Sequence, residues 1–504
     1  MIWHIVTREF SDHLNSLRFA LTTFILVALM VTNAVVHLQT HPDRVRHYSE
    51  SVTTARNAVR APTQLYLLLQ KGPGDFRKRP SPLAFVADGG EALLPGRIWS
   101  GGSWSKTTSP GNSLKSVWWM GYPHLNLGAM SSLRPTATKI DWVFIITYLL
   151  SFLPLMFTFD ALSGEREQGT LRLCLANPIS RHALLLGKFI GALFAVLMPF
   201  YFAVLLNLAI LSTDTWIQLD TAAWSRLGLI VLIASCYAGI FIAVGLIVSA
   251  ATRESRLTLI LLLLIWVTIV VFMPSTLGTL AAKWMSPVQT QHQFNKAKKA
   301  ALAQAIDEPI KQMQEQFEKQ LLSRYSLGAL LKMPRAEAQA MVEAESAKVD
   351  DADLPMLAAL VMKDVEVRER FNREHLAAQS AQVLQARAIT RFSPAATVQY
   401  ALESLAGTGF NRHLHFLDSV RLHIRQFREF IAERERADAT SLHLIGIPQG
   451  MSEKPVPPQA IPIFEDTLTF RDTLNTAMGD ILLLVLLLGG FLLGAFLVFV
   501  RSEV

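Results

Sequence analysis

Six stretches of the 504-residue chain are apolar over about the length a helix needs to cross a bilayer. A hydrocarbon core about 30 Å thick requires roughly 20 such residues. The stretches lie at 19–38, 141–159, 183–211, 226–250, 257–274 and 479–500. The last contains ILLLVLLLGGFLLGAFLVFV without one ionisable side chain, a surface for which a water-soluble helix has no use. The first lacks the small-residue cleavage site of a signal peptide, so a retained span is expected.

The segments between the spans follow other periods. In residues 1–18, Trp3, Val6, Phe10, Leu14 and Leu17 recur every three or four positions, with His4, Thr7, Arg8, Ser11 and Asp12 on the other faces. That spacing predicts a helix lying in the membrane interface with its apolar stripe in lipid. Residues 39–140 are irregular, broken by KGPGDFRKRP at 71–80 and GGSWSKTTSPGN at 101–112. Trp99, Trp104, Trp118 and Trp119 stud this insert, and either pack a small core or sit at the outer membrane interface. Residues 275–478 are different in kind. Leu302, Ile306, Ile310, Met313, Phe317 and Leu321 keep a helical interval, and Leu354–Arg387 and Asn411–Ala437 repeat the style, which predicts long amphipathic helices packed on each other. The Pro-rich SEKPVPPQAIP at 452–462 leads back to the last span. The expected fold is an α-helical membrane protein: six transmembrane helices, an interfacial N-terminal helix, and two inserts, the first mixed and the second mainly long helices.

Composition agrees. The chain is 51% hydrophobic and 17% charged, against about 25% charge in an ordinary soluble domain. Two cysteines, Cys174 and Cys236, exclude a disulfide scaffold. Orientation follows from the short connections. Residues 212–225 hold Asp214 and Asp220 and no Lys or Arg, whereas Arg166, Arg172, Arg181, Arg253 and Arg256 occupy the neighbouring ones, with Arg8 and Arg18 before the first span and Arg501 after the last. The positive-inside rule then puts both termini in the cytoplasm and both inserts outside. The net charge of +7 comes from the first insert, which has 13 basic and 5 acidic residues for +8, while 275–478 has 24 of each and the rest of the chain carries −1. This is no nucleic-acid signature. Arg77, Lys78 and Arg79 suggest instead an anionic lipid surface or partner.

The chemistry-bearing residues concentrate between the second and third spans, in 160–182. Gly164 and Gly169 permit tight turns, Thr170 can cap a short helix, and Pro178 ends it. A short helix there would show Glu165, Arg166 and Glu167 to the cytosol, where a soluble partner pressing on it would move two spans; a plain solvated loop is the alternative. Asn33, Tyr201 and Asn207 are polar groups inside spans, which either line a path or, more commonly, bond helix to helix. His415 and His423 fall on one face of a helix, with His413 pointing elsewhere, and are weak metal candidates that no Cys or Met cluster joins. No GxxxxGK[ST] phosphate loop occurs, and no catalytic constellation is legible.

The run FTFDALSGEREQGTLRLCLANPISRHALLLGKFIGAL (157–193) closely resembles that of ABC-2-type permeases, the membrane subunits of type V ABC transporters. The second insert, with SPAATVQYALESLAGTGFNRHLHFLDSVRLHIRQF (393–427), looks like the subgroup carrying a large uncharacterised exoplasmic domain between the last two spans. The resemblance implies a coupling helix at Gly164, Glu165, Arg166, Glu167, Gly169 and Thr170 that docks a separate ABC ATPase subunit, present in two copies. ATP and Mg would be held on that subunit, with no cofactor on this chain. It also implies a second permease subunit, identical or paralogous, and a bacterial inner membrane. The chain ends ArgSerGluVal rather than in the family's basic-aromatic-acidic tail, so that contact does not carry over. Three functions follow as expectations: the permease of an ATP-driven exporter, a machine transmitting force to an exoplasmic partner protein, or a membrane sensor or scaffold without an ATPase.

Overall fold

The computed structural model describes residues 2–62, 64–90, 94–101, 104–109, 112–115, 119–120, 140–171, 180–217, 219–284, 289–324, 334, 337, 340, 354–447 and 450–501. Helix α1 (Ile2–Leu14) is followed by α2 (Leu17–Arg60), which starts where the Ser16 hydroxyl accepts from Phe19 N. Then come α3 (Leu65–Lys71), β1 (Gly74–Arg77), β2 (Arg97–Gly101), β3 (Trp104–Ser109), β4 (Asn112–Lys115) and β5 (Trp119–Met120). Helix α4 (142–158) carries a π turn at 145–149 and leads to the short α5 (Ser163–Glu167). Helices α6 (Arg181–Leu211), α7 (Thr221–Ala251) and α8 (255–284) follow, then α9 (291–324), α10 (Leu354–Thr390), α11 (Pro394–Ala406), α12 (Gly409–Arg436) and α13 (Phe470–Arg501).

Among the described residues six helices are long and apolar enough to cross a membrane: α2, α4, α6, α7, α8 and α13. Helices α4 and α7 are the most buried and α8 and α13 the least, so the bundle forms around α7. The basic short connections gather at one end. There Arg18 meets Asp160, and Arg181 donates to Val500 O at 2.7 Å, capping the end of α13. The inserts lie at the opposite end.

Three sequence expectations change. The helix of the first span does not stop at residue 38. Helix α2 continues through Pro42 to Arg60, and 44 residues at 1.5 Å rise reach about 66 Å, twice a hydrocarbon core. Past the apolar stretch its face is held by protein instead of lipid, so loss of hydrophobicity does not end it. Secondly, the two inserts are not separate packing units. Val59, Leu65, Leu68, Phe76 and Ile98 of the first share one core with Ile306, Val361, Phe416, Val420 and Phe427 of the second. Strand β1 pairs antiparallel with β2, and β2 with β5, around Phe76 and Ile98. Trp99, on the other face of β2, is 48% exposed and not in that core, and Trp118 lies outside the described residues.

Thirdly, part of the 275–478 insert belongs to the bundle. All of α11 except Gln399 is buried, and Ala395, Val398, Ala401, Leu402 and Leu405 join the core of the spans. It packs on α13, α7 and α4, and on the π turn of α8 at Val267–Phe272. Polar ties hold it: Ser393 Oγ donates to Ile269 O (2.9 Å), Arg391 Nε pairs with Asp480 (2.5 Å), and Arg387 Nη2 pairs with Glu403 (2.9 Å) where both side chains are under a tenth exposed. Gly407, left-handed at φ +68°, ends it, and a Cβ there would meet Leu468 at 2.8 Å. The long helices themselves fall where the spacing places them, α9 at 291–324, α10 at Leu354–Thr390 and α12 at Gly409–Arg436.

Removing one partner of a buried pair leaves an uncompensated charge, worth about 3–5 kcal/mol. The Arg387→Ala protein is expected to melt markedly lower in detergent, and Arg387→Met with Glu403→Leu to recover most of the loss. An unchanged melting temperature in Arg387→Ala would contradict the buried pairing.

Candidate functional site

At the end of the bundle opposite the inserts, α5 contacts α6, α7 and α8, and completes the termini of the last two. The four leading N–H and trailing C=O groups of a helix have no partner of their own. Ser249 Oγ, on α7, accepts from Leu162 N (3.0 Å) and Ser163 N (3.1 Å) at the start of α5. Arg166 Nη1 donates to Ala250 O (3.2 Å) and Thr252 O (2.9 Å), satisfying the last turn of α7 with a cation where the helix dipole favours one. Glu167 Oε2 accepts from Ser255 N (3.3 Å) and Ser255 Oγ (3.0 Å) at the start of α8. Just upstream, Asp160 pairs with Arg18 at 3.0 Å, where α2 begins.

The fourth contact is the most constrained. Lys188, on α6, is 3% exposed, and its Nζ lies 2.7 Å from both Glu9 Oε1 of α1 and Glu165 Oε1 of α5. The two carboxylates are brought there by close backbone approach. A Cβ on Gly187 would fall 2.6 Å from Ile5, and one on Gly191 2.8 Å from the Cβ of Glu9. Glycines four apart thus form a shallow face on α6 into which α1 settles. Val6 is buried there, while Trp3, Leu14 and Leu17 of the same stripe stay exposed, so α1 turns only part of its apolar face outward.

Glu165 and Arg166, expected to face the cytosol, are therefore half-buried and engaged with the bundle. Glu167, Gln168, Gly169 and Thr170 are exposed. Gly169 makes the turn at φ +73°. Gly164 does not turn the chain; it is buried in the helix, 3.2 Å from the Asp160 side chain by its would-be Cβ. Thr170 and Leu171 are again helical, and Thr170 Oγ1 donates back to Glu165 O (3.1 Å). Residues 172–179, with Cys174 and Pro178, lie outside the described residues, as do 502–504. Glu9 and Ser249 were not singled out from sequence, and Lys188 stood in the run 157–193 without an assigned role. The available signal was Lys188, the one Lys or Arg in 183–211, beside a glycine pair.

The remaining candidates sit elsewhere. Asn33 Nδ2 donates to Phe85 O (3.0 Å) and Ile140 O (2.9 Å), and Asn207 Nδ2 to Met30 O (2.6 Å) and Asn33 Oδ1 (3.0 Å). Both asparagines are buried and tie α2 to α6 and to the entry of α4. Tyr201, 39% exposed, shares a 2.8 Å hydrogen bond with Ser235 between α6 and α7. Arg77, Lys78 and Arg79 do not form one patch: Arg77 is half-buried beside Asp75, Lys78 is buried, and Arg79 is exposed. His423 sits among the rings of Phe76, Phe427 and Phe464, and His415 lies 3.8 Å from Asp472, so the two histidines serve different contacts. Among the described residues no three His, Cys, Asp or Glu side chains gather as a metal site.

A family model described as ABC-2 family transporter protein matches residues 3–504. The chain is 31% identical over 134 residues to a probable ABC transporter permease protein NosY of Stutzerimonas stutzeri, covering 26% of this chain and 47% of that protein. A protein of the same description from Pseudomonas aeruginosa is 44% identical over 55 residues, 11% of this chain and 20% of that one. The chain thus spans under half the length of either of these relatives.

Two predictions follow. Lys188→Met removes charge-assisted bonds worth about 1.5–3 kcal/mol, so hydrogen exchange of amides 2–14 should quicken by one to two orders of magnitude; unchanged protection would contradict the tie. Burial lowers the His423 ring to about 4, and burial with Lys78 and Arg412 nearby lowers His413 to about 4. Both are neutral in the fold, and the unfolded chain takes protons below about 6.5, so stability is full above that pH and falls as pH drops toward 4. His423→Phe should flatten that acid slope, read as melting temperature against pH; an unaltered slope would contradict it.

Proposed function

The chain belongs to the ABC-2 family of transporter proteins, and from that premise we propose that it is the permease subunit of an ATP-driven exporter in a bacterial cytoplasmic membrane. Both termini and residues 163–170 face the cytoplasm in this reading. Two copies of a separate ABC ATPase subunit, holding ATP and Mg, dock on the exposed Glu167–Thr170 edge. A second permease subunit, identical or paralogous, completes the path, and this chain performs no hydrolysis. The supporting observation is the set of bonds made by Ser163–Glu167. A push on this short element acts at once on the end of α7 through Arg166, the start of α8 through Glu167, and α1 and α6 through Glu165 and Lys188. Nucleotide-driven closure of the ATPases would thereby tilt several spans together.

One observation favours a mechanical variant of the same machine. The outer helical region is joined to the spans through α11, by the Arg387–Glu403 and Arg391–Asp480 pairs and a shared core. Motion of α7 and α13 would then be delivered to α10 and α12, and from there to a partner outside the membrane.

Gln168→Arg with Thr170→Trp should lower vanadate-sensitive ATPase activity of the purified complex at least about fivefold, equivalent to roughly 1 kcal/mol, with the melting temperature kept. Unchanged activity and assembly would sink the docking assignment. Substrate movement into sealed vesicles, measured with the same complex, separates export from mechanical work.

A further inference from the structure

A cavity of about 400 Å³ lies where the apolar part of the spans ends on the insert side. Four parts of the chain build its wall: His41, Val45 and Tyr48 from one face of α2, residues 79–82 after β1, the connection into α7 and its first turns with Trp216, Asp220 and Arg226, and Gly407, Arg412, Asp466 and Leu468 from the second insert. Its charges are unequal. Arg79, Arg226 and Arg412 face Asp220 and Asp466. One oxygen of each carboxylate is engaged, Asp220 Oδ1 by Ala223 N (2.7 Å), and Asp466 Oδ2 by Arg79 N (2.7 Å) and the Arg412 guanidinium, while Asp466 Oδ1 is buried without a hydrogen-bond partner.

The guanidinium groups are less well served. Arg226 is 5% exposed, its one hydrogen bond runs from Nε to Ala222 O at 3.3 Å, and it has no ion pair among the described residues. Its Nη1 lies 3.5 Å from the position of a Cβ on Gly407, at the cavity wall. Arg412 Nη1 and His41 Nδ1 are buried there without a partner. Arg412 has Asp466 as its counter-charge and Asp220 lies within electrostatic reach of Arg226, but each guanidinium keeps N–H groups that neither carboxylate takes up, and such a planar fork matches phosphate oxygens. The height also matters. Trp216 and Trp224, about half exposed, stand beside the cavity and on the adjoining turn of α7, as aromatic residues do at a membrane–water boundary.

We propose that this cavity binds a phosphate group, held by Arg226 and Arg412 with Arg79 at its mouth, and presented either by an anionic lipid head group or by a soluble phosphate ester. This goes beyond the transport reading and does not depend on it. The basic run at 77–79 contributes only through Arg79, while the buried Arg226 comes from the start of a span.

The test uses the full-length protein in phosphatidylcholine nanodiscs, with phosphatidylglycerol added to the bilayer in one arm and inorganic phosphate added to the buffer in the other. One arm should raise the melting temperature by about 3 °C or more, and the rise should vanish in Arg226→Gln and shrink in Arg79→Gln. A rise with phosphatidylglycerol alone identifies a lipid head group, and a rise with inorganic phosphate alone a soluble ligand. Arg79 is exposed, so its variant reads the site even where Arg226→Gln fails to fold. No rise in either arm, a rise that chloride reproduces at equal ionic strength, or a rise that Arg79→Gln leaves intact would overturn the proposal.

Discussion

A single buried ammonium group sets the geometry of one end of this protein. Lys188 stands 3% exposed in a helix otherwise made to sit in lipid, and such a charge is stable only if opposite charge reaches it. Glu9 and Glu165 do so at 2.7 Å each. Because one carboxylate is on α1 and the other on α5, neutralising Lys188 fixes two elements that are far apart in sequence against a third. The glycines at 187 and 191 are part of the same solution, since any larger side chain would hold α1 too far away for Glu9 to reach. With α5 fixed, Arg166 and Glu167 fall on the ends of α7 and α8, where each satisfies helix-terminal groups that would otherwise be unpaired.

The opposite end is organised by a shared core. The continuation of α2 carries Val59 into the same hydrophobic cluster as helices of the second insert. Helix α11 then returns from that insert into the span core, with Glu403 carried inward only because Arg387 goes with it. Each insert depends on the other and on the bundle for burial, so the outer region and the spans form a continuous packed body between α5 and α12.

The spans, the amphipathic character of α1 and the three long outer helices were legible because each is a periodic signal longer than ten residues. The position of the short element between the second and third spans was legible from its charge spacing and from Gly169, whereas Gly164 lies within it instead of turning the chain. Its facing was not. Glu165 and Arg166 look like solvated charges until Lys188 and the open carbonyls of α7 are known to lie beside them. Helix α11 was hidden for a related reason: PAATVQYALESLA holds too few apolar residues to read as membrane-embedded, and only the pairing of Glu403 explains how it is buried. The continuation of α2 past residue 38 was not legible because hydropathy reports the surrounding solvent, and a helix leaving lipid for a protein interior gives no local sign of it. Asn33 and Asn207 bond each other across two helices, a pairing that no spacing within one helix reveals.

The central claim is that α5, α1 and the start of α6 move as one unit when a partner acts on the exposed edge at 167–170. Structures of the purified complex with its ATPase, determined by electron cryomicroscopy with and without vanadate-trapped nucleotide, test it most directly. The account predicts the ATPase seated on Glu167–Thr170, with Glu9, Lys188 and Glu165 still paired and superimposing as a rigid body in both states. An ATPase bound elsewhere, or an α5 that shifts against α1 with the Lys188 pairs broken, would contradict it.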